Sequence, residues 1–81
     1  MTLNEARSCM ESSLNRILVQ KGQDSIQLQD DMRLLGGNIQ IDSLDLAVLI
    51  TEMQETVGKD PFEAGFKNFR TVGELAGMYA D

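Results

Sequence analysis

Four times along this chain a short polar side chain is answered three positions later by an acid: Thr2 by Glu5, Asp42 by Asp45, Asp60 by Glu63 and Thr71 by Glu74. An α-helix begins with backbone N–H groups that have no partner within the helix, and this spacing lets two side chains satisfy them reciprocally. The pattern predicts four helix starts. Pro61 follows the third polar residue directly, at the first helical position, where its fixed φ suits the turn and its missing N–H is no loss.

Apolar residues recur at helical period behind these starts. Leu3, Ala6, Met10, Leu14, Ile17 and Leu18 form a stripe that predicts a first helix over 3–20, ended by Gly22. Leu46, Leu49, Ile50, Met53 and Val57 predict a second, with Gly58 where a C-terminal cap belongs. The third is short, one turn from Pro61 to before Gly65, and Phe62, Phe66 and Phe69 around it are expected to anchor the end of the chain to the first two helices. Val72, Leu75, Ala76 and Tyr79 share one face of a fourth, although Gly73 and Gly77 each cost ~1 kcal/mol relative to alanine inside a helix.

The connection between the first two helices runs to about twenty residues, longer than compact domains usually carry without a reason. Ile26, Leu28, Met32, Leu34, Leu35, Ile39 and Ile41 are too many apolar groups for a solvated loop, so it is expected to lie across the bundle as a lid. Gly36 and Gly37 supply a sharp bend before the second helix. The fold expected is all-α: a four-helix bundle, one domain over 1–81, with a long loop between helices 1 and 2 and a short helix 3.

The 81 residues leave room for one modest core, because a domain of this size buries only ~60% of its unfolded surface. No apolar run reaches the ~18 residues of a membrane span, and the N-terminus lacks a secretory pattern, so a cytoplasmic protein without membrane insertion is expected. Cys9 has no cysteine to pair with inside the chain and reads as a small apolar residue near the first helix's stripe. The net charge of −6 argues against nucleic acid as a partner. Between Arg33 and Lys59 there is no cation, while Asp42, Asp45, Glu52 and Glu55 stand in that stretch, which suggests a basic partner or simply a solubilising face. Asp30-Asp31 lacks the alternating acids of a calcium loop, and no metal site is expected.

The residues with the most functional content are Asp42-Ser43-Leu44-Asp45, where the glycine bend meets the second helix. A serine in the first helical turn presents its oxygen beside free N–H groups at the positive end of the helix dipole, a place that tolerates a phosphodiester. Serine is also among the commonest helix caps, so the position alone has a purely structural explanation. With no histidine in the chain and no cysteine near the motif, nothing is at hand to activate this hydroxyl, and an enzyme is not expected.

Leu35-Gly36-Gly37, the Asp42-Ser43-Leu44 triplet, the amphipathic helix after it and the closing Phe69-Arg70-Thr71-Val72-Gly73-Glu74-Leu75 together resemble the acyl carrier protein family over most of the chain. The resemblance implies a monomeric carrier with 4′-phosphopantetheine, taken from coenzyme A, esterified to Ser43 and acyl intermediates held as thioesters at its end. It implies that Asp42 and Asp45 assist modification by a phosphopantetheinyl transferase. Loading ligases for acyl or aminoacyl groups, and downstream transferases or synthases of fatty acid, lipid or specialised acyl pathways, would be the other partners. Leu44, Asp45, Val48, Glu52 and Glu55 are the expected partner-binding residues.

Two features depart from carriers of fatty acid synthesis. Asn38-Ile39-Gln40-Ile41 lengthens the approach to the serine, as in stand-alone carriers of specialised pathways. The outward stripe Leu44, Val48, Thr51, Glu52, Glu55 is half uncharged, suggesting apolar contact with partners. Leu49, Met53, Val57 and Phe62 are candidates for sheltering an acyl chain, though ordinary core packing accounts for them without a ligand. Amino acid cargo, including D-alanine, and an unmodified helical adaptor of the same shape remain the alternatives.

Overall fold

The computed structural model describes residues 1–37, 39–63, 65 and 68–80. Three helices are formed there: α1 (Leu3–Gln20), α2 (Ser43–Val57) and α3 (Val72–Tyr79). Each starts with a reciprocal capping box. Thr2 accepts from the Glu5 N–H, Asp42 from the Asp45 N–H and Thr71 from the Glu74 N–H, and each acid returns to its cap's own N–H. At the far end of α1 the Gln23 N–H reaches the Leu18 carbonyl at 2.8 Å and the Gly22 N–H reaches Val19 at 3.0 Å, the paired bonds of a Schellman close. Gly58 ends α2 in the left-handed region at φ 78°.

The fourth expected start does not produce a helix among the described residues. Asp60 accepts from the N–H of Phe62 at 2.9 Å, two positions on rather than three, and the same oxygen is held by the Gln54 amide at 3.0 Å. The Glu63 and Gly65 N–H groups then close onto the Asp60 and Phe62 carbonyls, bonds to the third residue back rather than the fourth-back bonds of an α-helix. Gly65 leaves helical space altogether at φ 135°. The described residues therefore form an all-helical, three-helix globule. Of the expected phenylalanine anchors, Phe62 and Phe69 pack on the core with ring centroids 5.9 Å apart, and Phe66 lies outside the described residues.

α1 packs against both α2 and α3. Its Ala6, Met10 and Leu14 are wholly buried, as are Leu49 and Met53 of α2 and Val72, Leu75, Ala76 and Tyr79 of α3. Leu3, expected at the head of the α1 stripe, is 41% exposed, and Met1 packs on the core at that end. Burial pushes the Tyr79 phenol up to about 12, with Asp60 adding to the shift, so the group stays a neutral donor. Its hydroxyl reaches the Ile50 carbonyl at 3.5 Å, the long limit of a hydrogen bond.

The long connection is held down at both edges. Leu28, Leu34 and Ile39 are buried, and Ile26, Met32 and Ile41 pack against the same core. Its backbone finds partners on α1: Asn15 bonds both the N–H and the carbonyl of Ile26, at 2.8 and 2.9 Å, and Glu11 accepts from Leu28 at 2.7 Å. On the other edge it pairs with the approach to α3, where Val72 donates to Met32, Leu34 donates to Arg70, and Gly73 donates to Asp30, each at 2.9 Å. The Arg33–Thr71 antiparallel bridge belongs to this seam.

That seam explains one of the two glycines in α3. A Cβ on Gly73 would stand 2.9 Å from the Asp30 Cβ and 3.1 Å from its carbonyl oxygen, whereas a Cβ on Gly77 meets nothing within 4 Å. The same substitution is thus expected to act with opposite sign at sites four residues apart. Gly77→Ala should stabilise by roughly 0.5–1 kcal/mol through helix propensity. Gly73→Ala should destabilise by about 1–3 kcal/mol by prying the seam open. Urea unfolding of the two variants checks both signs.

Candidate functional site

The approach to α2 is bent by Gly36, at φ 75°, and by Gly37, whose missing side chain admits the Arg33 backbone: a Cβ there would stand 3.0 Å from the Arg33 Cβ and 3.2 Å from its carbonyl. Ile39 is buried beyond the bend, pinning the segment before Asp42 caps the helix; Asn38, in the lengthened approach, lies outside the described residues. Ser43 is the first residue of α2 and is exposed. The Asp45 N–H is taken by Asp42 at 3.0 Å and the Leu46 N–H begins the intrahelical series at 3.0 Å. Among the described residues, the N–H groups of Ser43 and Leu44 are left as the open donors of the helix mouth. The Ser43 hydroxyl therefore sits at the positive end of α2 with two backbone donors beside it and solvent in front.

The acids of this region have partners that their positions in the sequence do not suggest. Lys21, just past the end of α1, donates to the Asp45 carboxylate at 2.5 Å and to the Gln40 carbonyl at 3.2 Å. The Lys21 ammonium, followed by the bond from the Asp42 N–H, holds the Asp45 carboxyl below its ordinary 3.8. Arg16 of α1 pairs with Glu52, which is only 23% exposed and keeps its second oxygen buried without a partner among the described residues. Of the four acids expected to face a partner, two are thus neutralised across the α1–α2 contact. Asp42 and Glu55 remain exposed without an ion pair among the described residues.

What α2 does present is apolar. Leu44 is 77% exposed and Val48, one turn on, 50%. Leu49 and Met53, weighed as a shelter for an acyl chain, are fully buried, with Val57 and Phe62 packed at the edge.

A cavity of about 210 Å³ opens instead between the connection and α2, lined by Arg33, Leu34, Leu35, Leu46, Phe69 and Arg70. The seam builds it, since the Leu34 N–H bonded to the Arg70 carbonyl brings residues 34 and 70 together in its wall. Sequence reasoning passed over Lys21, Arg16 and this cavity, because pairing between elements has no period along the chain.

No protein-family model, no curated protein and no solved structure matches this chain.

The lowered Asp45 value has a sign that can be measured. A carboxyl whose folded value lies below its unfolded one contributes stability above the unfolded value and loses it as pH falls through the folded value. In the protein, Asp45 should titrate below 3.8. Replacing Lys21 by methionine should raise that value and lower stability at neutral pH, with the difference vanishing once the solution is acid enough to protonate Asp45 in both forms. Carboxyl-carbon NMR titration and denaturation across the acid range check the two halves.

Proposed function

We propose that this chain is an acyl carrier, bearing 4′-phosphopantetheine on Ser43 and presenting thioester-bound intermediates to partner enzymes. The observation that carries the reading is the placement of Ser43. Its hydroxyl is exposed at the mouth of α2, beside open backbone donors, after the bend at Gly36 and Gly37. A phosphodiester formed there gains from the helix dipole and from the N–H groups of Ser43 and Leu44. Lys21 removes one of the two neighbouring negative charges that would oppose it.

The chain supplies no base for the attachment. A phosphopantetheinyl transferase is the partner required, moving the phosphopantetheinyl group from coenzyme A to the serine oxygen and releasing the adenosine bisphosphate portion. Asp42, exposed beside the serine, is the carboxylate available to that enzyme's metal ion. Asp45, turned toward Lys21, serves the cap instead. In this reading the turns that Glu63 and Gly65 close onto Asp60 and Phe62 stand where a carrier's short third helix would be.

Partner enzymes would grip α2 through Leu44 and Val48 more than through acids, since Glu52 is already engaged by Arg16. Loading by an acyl or aminoacyl ligase and delivery to a transferase or synthase complete the cycle. An unmodified adaptor, using the same apolar face, is the competing reading.

Intact-protein mass spectrometry after incubation with coenzyme A and a broad-specificity transferase separates the two. The wild type should gain one phosphopantetheine and Ser43→Ala none; an unchanged wild-type mass leaves the adaptor. In loading assays with a partner ligase, Leu44→Ser with Val48→Ser should cost more rate than Glu55→Lys.

A further inference from the structure

Lys21 stands just past the end of α1, yet its side chain is bound into the approach to the serine. Its base is fixed, because the Lys21 N–H reaches the Ile17 and Leu18 carbonyls, each at 3.1 Å, and caps α1. From there the ammonium donates to the Gln40 carbonyl at 3.2 Å and to the Asp45 Oδ2 at 2.5 Å. The same Oδ2 accepts from the Asp42 N–H at 3.1 Å. An ammonium carries several donors and no acceptor, so one lysine can hold a carbonyl and a carboxylate at once.

The bonds of the approach run on from this knot to the mouth of α2. Ile39 is buried, and the Ile41 N–H closes back onto the Ile39 carbonyl at 3.0 Å. The carbonyl at the other end of that peptide, Gln40's, goes to Lys21. The Asp42 N–H goes to Asp45, and the Asp42 carbonyl receives the Leu46 N–H at 3.0 Å. Asp45 and Leu46 belong to α2 itself, whereas Lys21 ties the segment to the end of α1. Gln40 is exposed, so without that lysine its carbonyl would turn to water and the peptide before Ile41 would lose its hold on the first helix.

We infer that Lys21 is a positioning residue for the modification of Ser43: by tying the Gln40 carbonyl and the Asp45 carboxylate to the end of α1, it fixes the path by which the chain enters α2 and so the placement of the hydroxyl offered to the transferase. The inference rests on the carrier reading above and adds a residue to it. Lys21 acts through the two groups it holds and not on the serine. Its neutralisation of Asp45 is a separate effect with a different kinetic signature. A carboxylate released from its lysine changes how tightly a charged enzyme binds the carrier, and so KM, whereas a misplaced hydroxyl slows turnover within the bound complex, and so kcat.

The test is steady-state transfer from coenzyme A by one broad-specificity transferase, read by intact mass, at a temperature where circular dichroism shows each variant folded. Lys21→Met should lower kcat roughly three- to tenfold, with the KM for the carrier within about twofold of wild type. Lys21→Gln, polar but too short to reach both partners, should do the same, and Lys21→Arg should recover most of the loss. Arg16→Met removes the cation that pairs with Glu52, nine residues beyond Ser43 and about 13.5 Å along the helix axis, and should leave kcat as it is. In the unmodified proteins, ¹⁵N relaxation should show larger motion at Gln40, Ile41 and Ser43 in Lys21→Met and not in Arg16→Met. A change confined to KM, an equal loss of kcat in Arg16→Met, no recovery by Lys21→Arg, or unaltered order at these residues would overturn the positioning role and leave the carrier reading intact. A wild-type mass that does not change would remove the carrier reading itself, and the inference with it.

Discussion

The seam between the long connection and the start of α3 is the constraint on which the rest of the molecule depends. Met32, Leu34 and Asp30 exchange backbone hydrogen bonds with Val72, Arg70 and Gly73, satisfying polar groups that would otherwise be buried unpaired under Leu34 and Val72. α3 spans only Val72–Tyr79, too short to persist alone in water. It survives because its cap, its first turn and its apolar face are all held by other segments. The same seam closes the lid over α1 and creates the recess between the connection and α2.

Electrostatics in this protein operate between elements rather than along them. The stretch from Arg33 to Lys59 is anionic in sequence, yet Arg16 of α1 and Lys21 just past its end reach across to Glu52 and Asp45. Pairs of this kind, with the cation toward solvent and the acid largely covered, add only modestly to stability. Their consequence lies in what they subtract from the surface. With Asp45 and Glu52 occupied, the outward side of α2 is defined by Leu44 and Val48, and a partner selected by charge alone would find half the acids it expects.

The proposed arm draws on the local construction of the approach to α2. Gly36 and Gly37 let the chain turn tightly against Arg33, which brings the connection's Leu34 and Leu35 beside Leu46 and sets Ser43 at the helix mouth a short distance away. A single bend therefore lies between the connection's side of the recess and the helix mouth that bears the serine.

Local chemistry written in the sequence was sufficient for the helix boundaries that depend on neighbours three or four residues apart. Thr2 with Glu5, Asp42 with Asp45 and Thr71 with Glu74 are legible because a capping box is closed by residues within one turn. The burial of the connection was legible too, since a solvated loop has no use for Leu28, Leu34 and Ile39. Asp60 with Glu63 shows the limit: with the same spacing no helix follows among the described residues, where the Asp60 carboxylate accepts from Phe62 and from Gln54 of α2 instead of from Glu63. Tertiary structure alone decided that Gly73 is required and Gly77 is not, that Lys21 belongs to Asp45, and that Arg33 lies opposite Thr71. Each of these joins residues more than twenty positions apart in the chain, and no local preference encodes which distant backbone or charge a folded chain will bring alongside.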